Sequence, residues 1–208
     1  NSTLENHYPV LPLCYLPPTS YFAVAVNHGG ICLEAHENFT KQTLRNRCYI
    51  KTAQGIQMLS IPVMHHGKVP YQELEIDSQT NWSVLHWRAI QAAYGKAPYF
   101  QFYAPYFENF YSKPHLNLWA FNRELFLLCL KLVKLSVEIT ETSDWQKTIF
   151  SAPDYRNSLK NSYFPTEILQ VVPYYQVFGV DFEKGLSIID LLFNCGPDSK
   201  AILQKMIL

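Results

Sequence analysis

The sequence predicts an α/β fold: a mainly parallel sheet flanked by helices, with a helical C-terminal part. Three observations carry this. Strand and helix signals interleave along the chain. The opening fifty residues run strand, Pro-rich loop, short helix, strand, an order that suits a parallel pair joined by a crossover. The chain is also long enough, at 208 residues with 48% hydrophobic content, to bury a sizeable core without disulfide staples. Residues 1–208 are read as a single domain with a helical subregion from about residue 141.

Each element has its own signal. Val10 to Leu16 is apolar and stops at Pro17-Pro18, a short buried strand. "TSYFAVAVNHGG" reads as one helix, with Thr19 or Ser20 as its cap and Gly29-Gly30 beyond its end. "ICLEA" resumes as a strand. A polar stretch, His36 to Arg47, precedes strand signal at Cys48 to Lys51, and a turn at Gln54-Gly55 leads into "IQMLSIPV", which together read as a β-hairpin. "ELEID" is a further strand candidate. Asn81 is placed to cap a helix whose apolar residues Trp82, Leu85, His86, Ala89, Ile90, Ala93 and Tyr94 recur at helical spacing up to Gly95. The aromatic segment that follows is interrupted by Pro98, Pro105 and Pro114. Leu116 to Lys134 is a long, mostly apolar helix, and "LSVEIT" alternates as a strand. Residues 141–165 are polar and turn-rich, and "TEILQVVPYY" fits helix or strand equally. Ser187-x-x-Asp190 resembles a capping box before "IIDLLFN", and a last helix runs from Asp198 to about Met206.

Composition excludes several classes. Lys+Arg and Asp+Glu both number 17, so no basic excess points to nucleic acid and no acidic tail to disorder. Five scattered cysteines form no C-x-x-C pair, which fits reduced thiols in a cytoplasmic protein and neither a zinc knuckle nor a disulfide framework. No signal-peptide pattern opens the chain. The most apolar stretch carries Asn122, Arg123, Glu124, Lys131 and Lys134, too costly for a membrane span. Glycine-rich nucleotide loops, the nucleophile elbow and H-E-x-x-H are absent, and no residue is assigned as a metal ligand. The adjacent His65-His66 point opposite ways on an extended chain and read as loop histidines.

The chemistry concentrates in "EAHENFTKQTLRNR". In an extended segment Glu34 and His36 share a face, which permits a carboxylate–imidazole pair for proton transfer. Arg45 and Arg47 likewise share a face, and two guanidiniums so placed need an anion between them. Glu34 or Glu37 would supply it from within, or a substrate phosphate or carboxylate from outside. His86 lies on an apolar stripe, where a histidine is either a hydrogen-bonded core group or a base.

Several of these stretches are similar to the WbqC-like family: "YLPPTSYF" at 15–22, "EAHENFTKQTLRNRCYI" at 34–50, "LSIPV" at 59–63, "HWRAIQAAYGKAPYFQFY" at 86–103 and "LSIIDLLFNCGP" at 186–197. Lys41, Asn46 and Arg47 match positions shared broadly in that family, whereas Glu34, His36, Glu37, Gln42 and Arg45 match a narrower branch. The family's opening Gln-Pro is replaced here by Pro12 and Leu13. The resemblance implies an association with O-antigen and other surface-polysaccharide gene clusters, and an amino-acid transferase role. The opening strand–loop–helix–strand is also similar to the start of Rossmann-like nucleotidylyl-transferase domains, although the histidines of their loop are missing.

The expected function is therefore a group transferase, linked to an amino-acid, acyl or nucleotide-sugar group, with a small anionic or nucleotide-linked substrate and no named cofactor. Lys41, Arg45 and Arg47 would hold the anion, beside Gln42 and Asn46. His36 or His86 would act as base, with Glu34 or Glu37 orienting it, and Tyr21, Tyr94 and Tyr99 would stack on a base or sugar. The alternatives are a non-catalytic module recognising a nucleotide-sugar, and an interaction protein using the aromatic run 99–111.

Overall fold

The computed structural model describes residues 7–159, 164 and 167–208. Its main sheet is small and wholly parallel. Strand β1 (Val10–Leu11) and strand β5 (Glu138–Glu141) flank β2 (Gly30–Leu33), with Val10 opposite Cys32 and Gly30 opposite Glu138. Gly30 makes the β2–β5 approach possible, because a Cβ there would lie 2.6 Å from the Glu138 carbonyl oxygen. The fold is mixed α/β with the expected parallel crossover. Among the described residues this sheet has three strands, with one crossover helix between the first two, and the larger Rossmann-like sheet is not seen.

The crossover is helix α1 (Thr19–His28), buried along Thr19–Ala25, and Gly29 closes it at φ 71°. Two expectations about this region change. The first strand stops at Leu11 rather than Leu16, because Pro12 brings no N–H to the ladder and Leu16 turns to φ 39°. Neither Thr19 nor Ser20 caps α1. The N-cap is Pro18, and the Thr19 N–H donates instead to the Leu186 carbonyl, 3.2 Å away on a distant segment.

The predicted hairpin forms as β3 (Arg47–Thr52) against β4 (Gly55–Ser60). "ELEID" makes only single bridges, Ile76 to Val63 and Glu75 to Asn117. Helix α2 (Trp82–Tyr94) follows the predicted stripe, although the Asn81 side chain makes no capping bond. The next segment differs more. Helix α3 (Phe100–Tyr111) runs through Pro105. Tyr103, Phe107 and Tyr111 recur every four residues and are buried, and ring contacts such as Phe107–Phe193 at 5.5 Å compensate the roughly 3 kcal/mol a helix-interior proline costs. Helix α4 (Leu118–Val133) is capped by Asn117, whose Oδ1 accepts from the Ala120 N–H at 2.8 Å, and ends on left-handed Lys134.

The C-terminal part is a strap followed by helices. The ambiguous segment 166–175 is neither helix nor strand from 170 onward, and Leu169 bridges Ile207; Thr166 lies outside the described residues. Helix α5 (Ile188–Cys195) is buried throughout, and α6 (Ser199–Lys205) packs on α1. The capping box is half made. Ser187 Oγ accepts from Ile189 N–H, but Asp190 does not reach back. Its buried carboxylate instead accepts from the Tyr94 and Tyr174 hydroxyls and from Gln176 Nε2 at 2.7–2.9 Å. Burial raises its pKa above the usual carboxylate value, against those three donors. Gln176 also accepts from Lys51 Nζ on β3, so Asp190 anchors the strap across the hairpin. Among the described residues no helix is long and apolar enough to cross a membrane, and no three His, Cys, Asp or Glu side chains cluster as a metal site.

Candidate functional site

The hairpin's pleat sets the site. Alternation sends Cys48 and Ile50 into the core and leaves Arg47 and Tyr49 on the other face, beside Ile56 from β4. The loop before β3 is pinned from beneath. Asn122 Nδ2 donates to the Arg45 carbonyl at 2.6 Å and to the Tyr71 hydroxyl at 2.7 Å, and that hydroxyl donates to the Leu13 carbonyl at 2.8 Å. The end of the strap forms the facing wall, held where Ser187 N–H donates to Tyr49 O at 2.9 Å. Between them lies a cavity of about 570 Å³ that includes Gln42, Arg45, Arg47, Tyr49, Arg156 and Lys184 in its lining. Its size falls in the range of small-molecule sites.

Counting donors separates the three guanidiniums. A guanidinium carries five N–H groups. Arg156 spends all of them inside the protein: Nε and Nη2 on Asp154 at 2.8 Å each, Nη1 on Glu34 at 3.0 Å and the Gln146 carbonyl at 2.8 Å, and Nη2 again on the Lys147 carbonyl at 3.3 Å. Arg45 forks onto Glu37, with Nε–Oε1 at 2.6 Å and Nη2–Oε2 at 2.8 Å. Arg47 has no carboxylate partner among the described residues, and its Nε is buried with no acceptor. An unanswered buried donor of this kind costs about 1–3 kcal/mol. Arg47 is thus the guanidinium left open to a guest.

The predicted site residues fall into three groups. Gln42, Arg45 and Arg47 meet at this cavity. His36 and Glu37 line a second cavity, of about 440 Å³, which shares Arg45, Arg156 and Asn157 with the first. The rest lie elsewhere. Lys41 is exposed and lines neither cavity. Asn46 is buried, with Nδ2 donating to the Ile61 carbonyl at 3.0 Å. Glu34 is fully buried, and its contact with His36 is to the backbone N–H at 2.9 Å rather than the imidazole, which is exposed. The expected Glu34–His36 proton-transfer pair therefore does not form in this structure; Glu34 serves Arg156 instead. Tyr21 donates to the Pro12 carbonyl and Tyr94 to Asp190, both fully buried, and the Tyr99 ring covers Gly196. None of these three tyrosines lines either cavity; the tyrosine that does is Tyr49. In the aromatic run, Phe102 and Tyr106 are exposed while Tyr103, Phe107 and Tyr111 face the core.

His86 sits in the core. Its Nε2 must donate to the Ser60 carbonyl at 3.1 Å, since a carbonyl only accepts, so Nδ1 accepts from the Tyr15 hydroxyl at 2.8 Å. Tyr15 in turn contacts the Tyr111 hydroxyl. Burial lowers the His86 pKa to about 4, against a weaker opposing effect of the Ser60 bond. The depressed value means that the unfolded chain binds the extra proton first. Stability from this group is complete above the ordinary value of 6.5 and is lost as pH falls towards 4, by about 3 kcal/mol at most. His86→Gln supplies an amide acceptor and an amide donor in place of the two ring nitrogens, without a titrating proton. The stability difference between wild type and variant, measured by urea unfolding, is expected to change between pH 6.5 and pH 4 and to stay flat above; a flat difference throughout contradicts this account.

No local motif in the sequence marks Arg156, Asn157, Lys184 or Tyr49 as cavity residues. Only the local Asp154-x-Arg156 spacing hinted at a pair; Glu34, the other partner, lies 122 residues away. Cys14 also lines the cavity, but burial pushes its thiol up to about 12, which leaves no thiolate for nucleophilic attack near neutral pH.

The WbqC-like protein family matches the chain over residues 14–154 and 154–202. The uncharacterized protein Rv1507c of Mycobacterium tuberculosis is 28% identical over 219 aligned positions, covering 91% of this chain and 94% of that protein. No solved structure matches. The first matched segment contains Arg45 and Arg47, and the second contains Arg156 and Lys184, so both walls of the cavity lie within the family's span.

Proposed function

Since the chain belongs to the WbqC-like protein family, we propose that it is a group transferase of surface-polysaccharide (O-antigen) biosynthesis that holds an anionic donor at Arg47. The observation that carries this is the Arg47 guanidinium in a cavity of about 570 Å³, with no carboxylate partner and no acceptor for its buried Nε among the described residues. A donor with a phosphate or carboxylate would answer that charge bidentately. Its organic part, an acyl, aminoacyl or nucleotide-sugar group, would lie against Leu44, Tyr49, Ile56 and Leu186. His36, in the adjoining cavity, is the remaining candidate base, and Glu37 orients Arg45 rather than an imidazole. Five free, buried cysteines fit a reducing compartment such as the cytoplasm.

A second reading rests on one feature of the lining. Among the described residues no histidine or carboxylate borders the Arg47 cavity itself, which suits a module that recognises an anionic ligand for a partner enzyme. Thermal-shift screening against nucleotide sugars, acyl phosphates and free amino acids tests both. A ligand present at a hundred times its Kd stabilises by about 2.7 kcal/mol. The expected result is stabilisation by a phosphate- or carboxylate-bearing compound, followed by its turnover with an amine or hydroxyl acceptor. Stabilisation without turnover favours the recognition module; no stabilisation by any anion overturns both.

A further inference from the structure

The second cavity lies across the Arg45–Arg156–Asn157 wall from the first, and its chemistry is different. The wall's charges are answered on this side. Glu37 takes the Arg45 fork, and Arg156 has no donor to spare. The groups left for a ligand are the amides of Asn38 and Asn157, the Thr40 hydroxyl, the exposed His36 and Lys147, and the Trp145 ring. Trp145 is 53% exposed, an unusual place for an indole, and the Arg156 guanidinium holds it at 4.7 Å from the ring centroid. That guanidinium is itself bolted to Glu34 and Asp154, so the ring is carried on a fixed support.

Amides and hydroxyls both donate and accept, which suits a ligand whose own groups do both. An indole adds a flat apolar surface for C–H groups. A polyhydroxylated ring has both features: hydroxyls on its rim and C–H bonds on its faces. We propose that the cavity of about 440 Å³ bordered by Trp145, Asn38, Thr40 and Asn157 binds a sugar ring stacked on Trp145. Its service as the acceptor subsite beside an anionic donor rests on the transferase reading; the binding of the sugar does not.

The protein carries its own probe. Trp82, Trp87 and Trp119 are buried, so acrylamide quenching of tryptophan fluorescence reports chiefly on Trp145. Methyl glucoside, methyl galactoside and N-acetylglucosamine, titrated to high millimolar concentration, are expected to protect the quenchable component at least about twofold for one of the three, as burial of a stacked ring face requires. Trp145→Leu, followed by one-dimensional saturation-transfer NMR because the fluorescent reporter is gone, is expected to lose the sugar signal. Arg47→Ala is expected to retain protection. Should Trp145→Leu fail to fold, Asn38→Leu decides, with an expected loss of about tenfold in sugar affinity, the factor that follows from about 1.4 kcal/mol of lost hydrogen bonding. Absence of protection by all three sugars, a sugar signal that survives Trp145→Leu, a sugar affinity unchanged by Asn38→Leu, or protection lost in Arg47→Ala each overturns the proposal. If anions fail to stabilise the protein while a sugar still protects Trp145, the donor reading falls and the sugar site stands.

Discussion

Arg156→Ala is expected to lower the unfolding free energy by about 3–5 kcal/mol, the usual result of stripping one partner from a buried ion pair. Three features set the size. Arg156 and Glu34 are 6% and 0% exposed, so the variant strands a carboxylate deep in the protein. Among the described residues Glu34 would keep the His36 N–H and the Thr142 hydroxyl as its donors. Two backbone carbonyls, Gln146 and Lys147, would also lose their donor. Arg156 further secures the segment beside β1, where Val10 bridges Asp154 and the Tyr155 N–H donates to Val10 O at 2.9 Å. Urea unfolding at neutral pH measures the effect. Glu34→Gln added to Arg156→Ala should recover part of the loss, because it removes the stranded charge, and the two changes should be strongly non-additive. A loss below about 1 kcal/mol, the range of exposed ion pairs, would mean that Arg156 is hydrated and does not hold this segment in place.

Arg47→Ala should behave in the opposite way. It is expected to abolish stabilisation by the anionic ligand while moving the apo unfolding free energy by less than about 1 kcal/mol, as for a side chain with no ion-pair partner among the described residues. Two effects of the change oppose each other: it deletes a buried Nε with no acceptor among the described residues, and it loses the packing of the aliphatic stem. Arg47→Lys keeps the charge but loses the fork, so ligand stabilisation should fall without vanishing. Arg45→Ala is the control, since it leaves Glu37, 6% exposed, without its bidentate partner and should destabilise the apo protein. Thermal melts of the three variants with and without ligand separate the cases. An Arg47→Ala protein that melts far below wild type yet keeps its ligand response would remove Arg47 from the site and make it a structural residue.

The contrast between Arg45 and Arg47 shows where sequence reading stops. Both were visible as cations two residues apart, and the strand that carries Arg47 was legible from its alternation and the turn at Gln54-Gly55. What could not be read was which of them the chain itself neutralises. Arg45 lies just before β3 and turns to Glu37, eight residues back, whereas Arg47 opens the strand and faces the cavity. Asp190 makes the same point. Its spacing from Ser187 matched a helix cap, but Tyr94, Tyr174 and Gln176 claimed its oxygens. Pro105 did too: its local veto on a helix was outweighed by burial of Tyr103, Phe107 and Tyr111.

Sequence alone determined the local part of this protein: the α1 crossover with its Gly29 stop, the β3–β4 hairpin, the stripe of α2, and the cation-rich approach to Arg47. These follow from periodicity and turn chemistry among residues within a few positions of one another, where backbone geometry leaves little choice. Only the tertiary structure decided that Glu34 answers Arg156, that His86 is a core group, and that Trp145 and Lys184 border cavities with residues over a hundred positions away. Charge pairing and burial depend on separation in space, and separation along the chain does not report it.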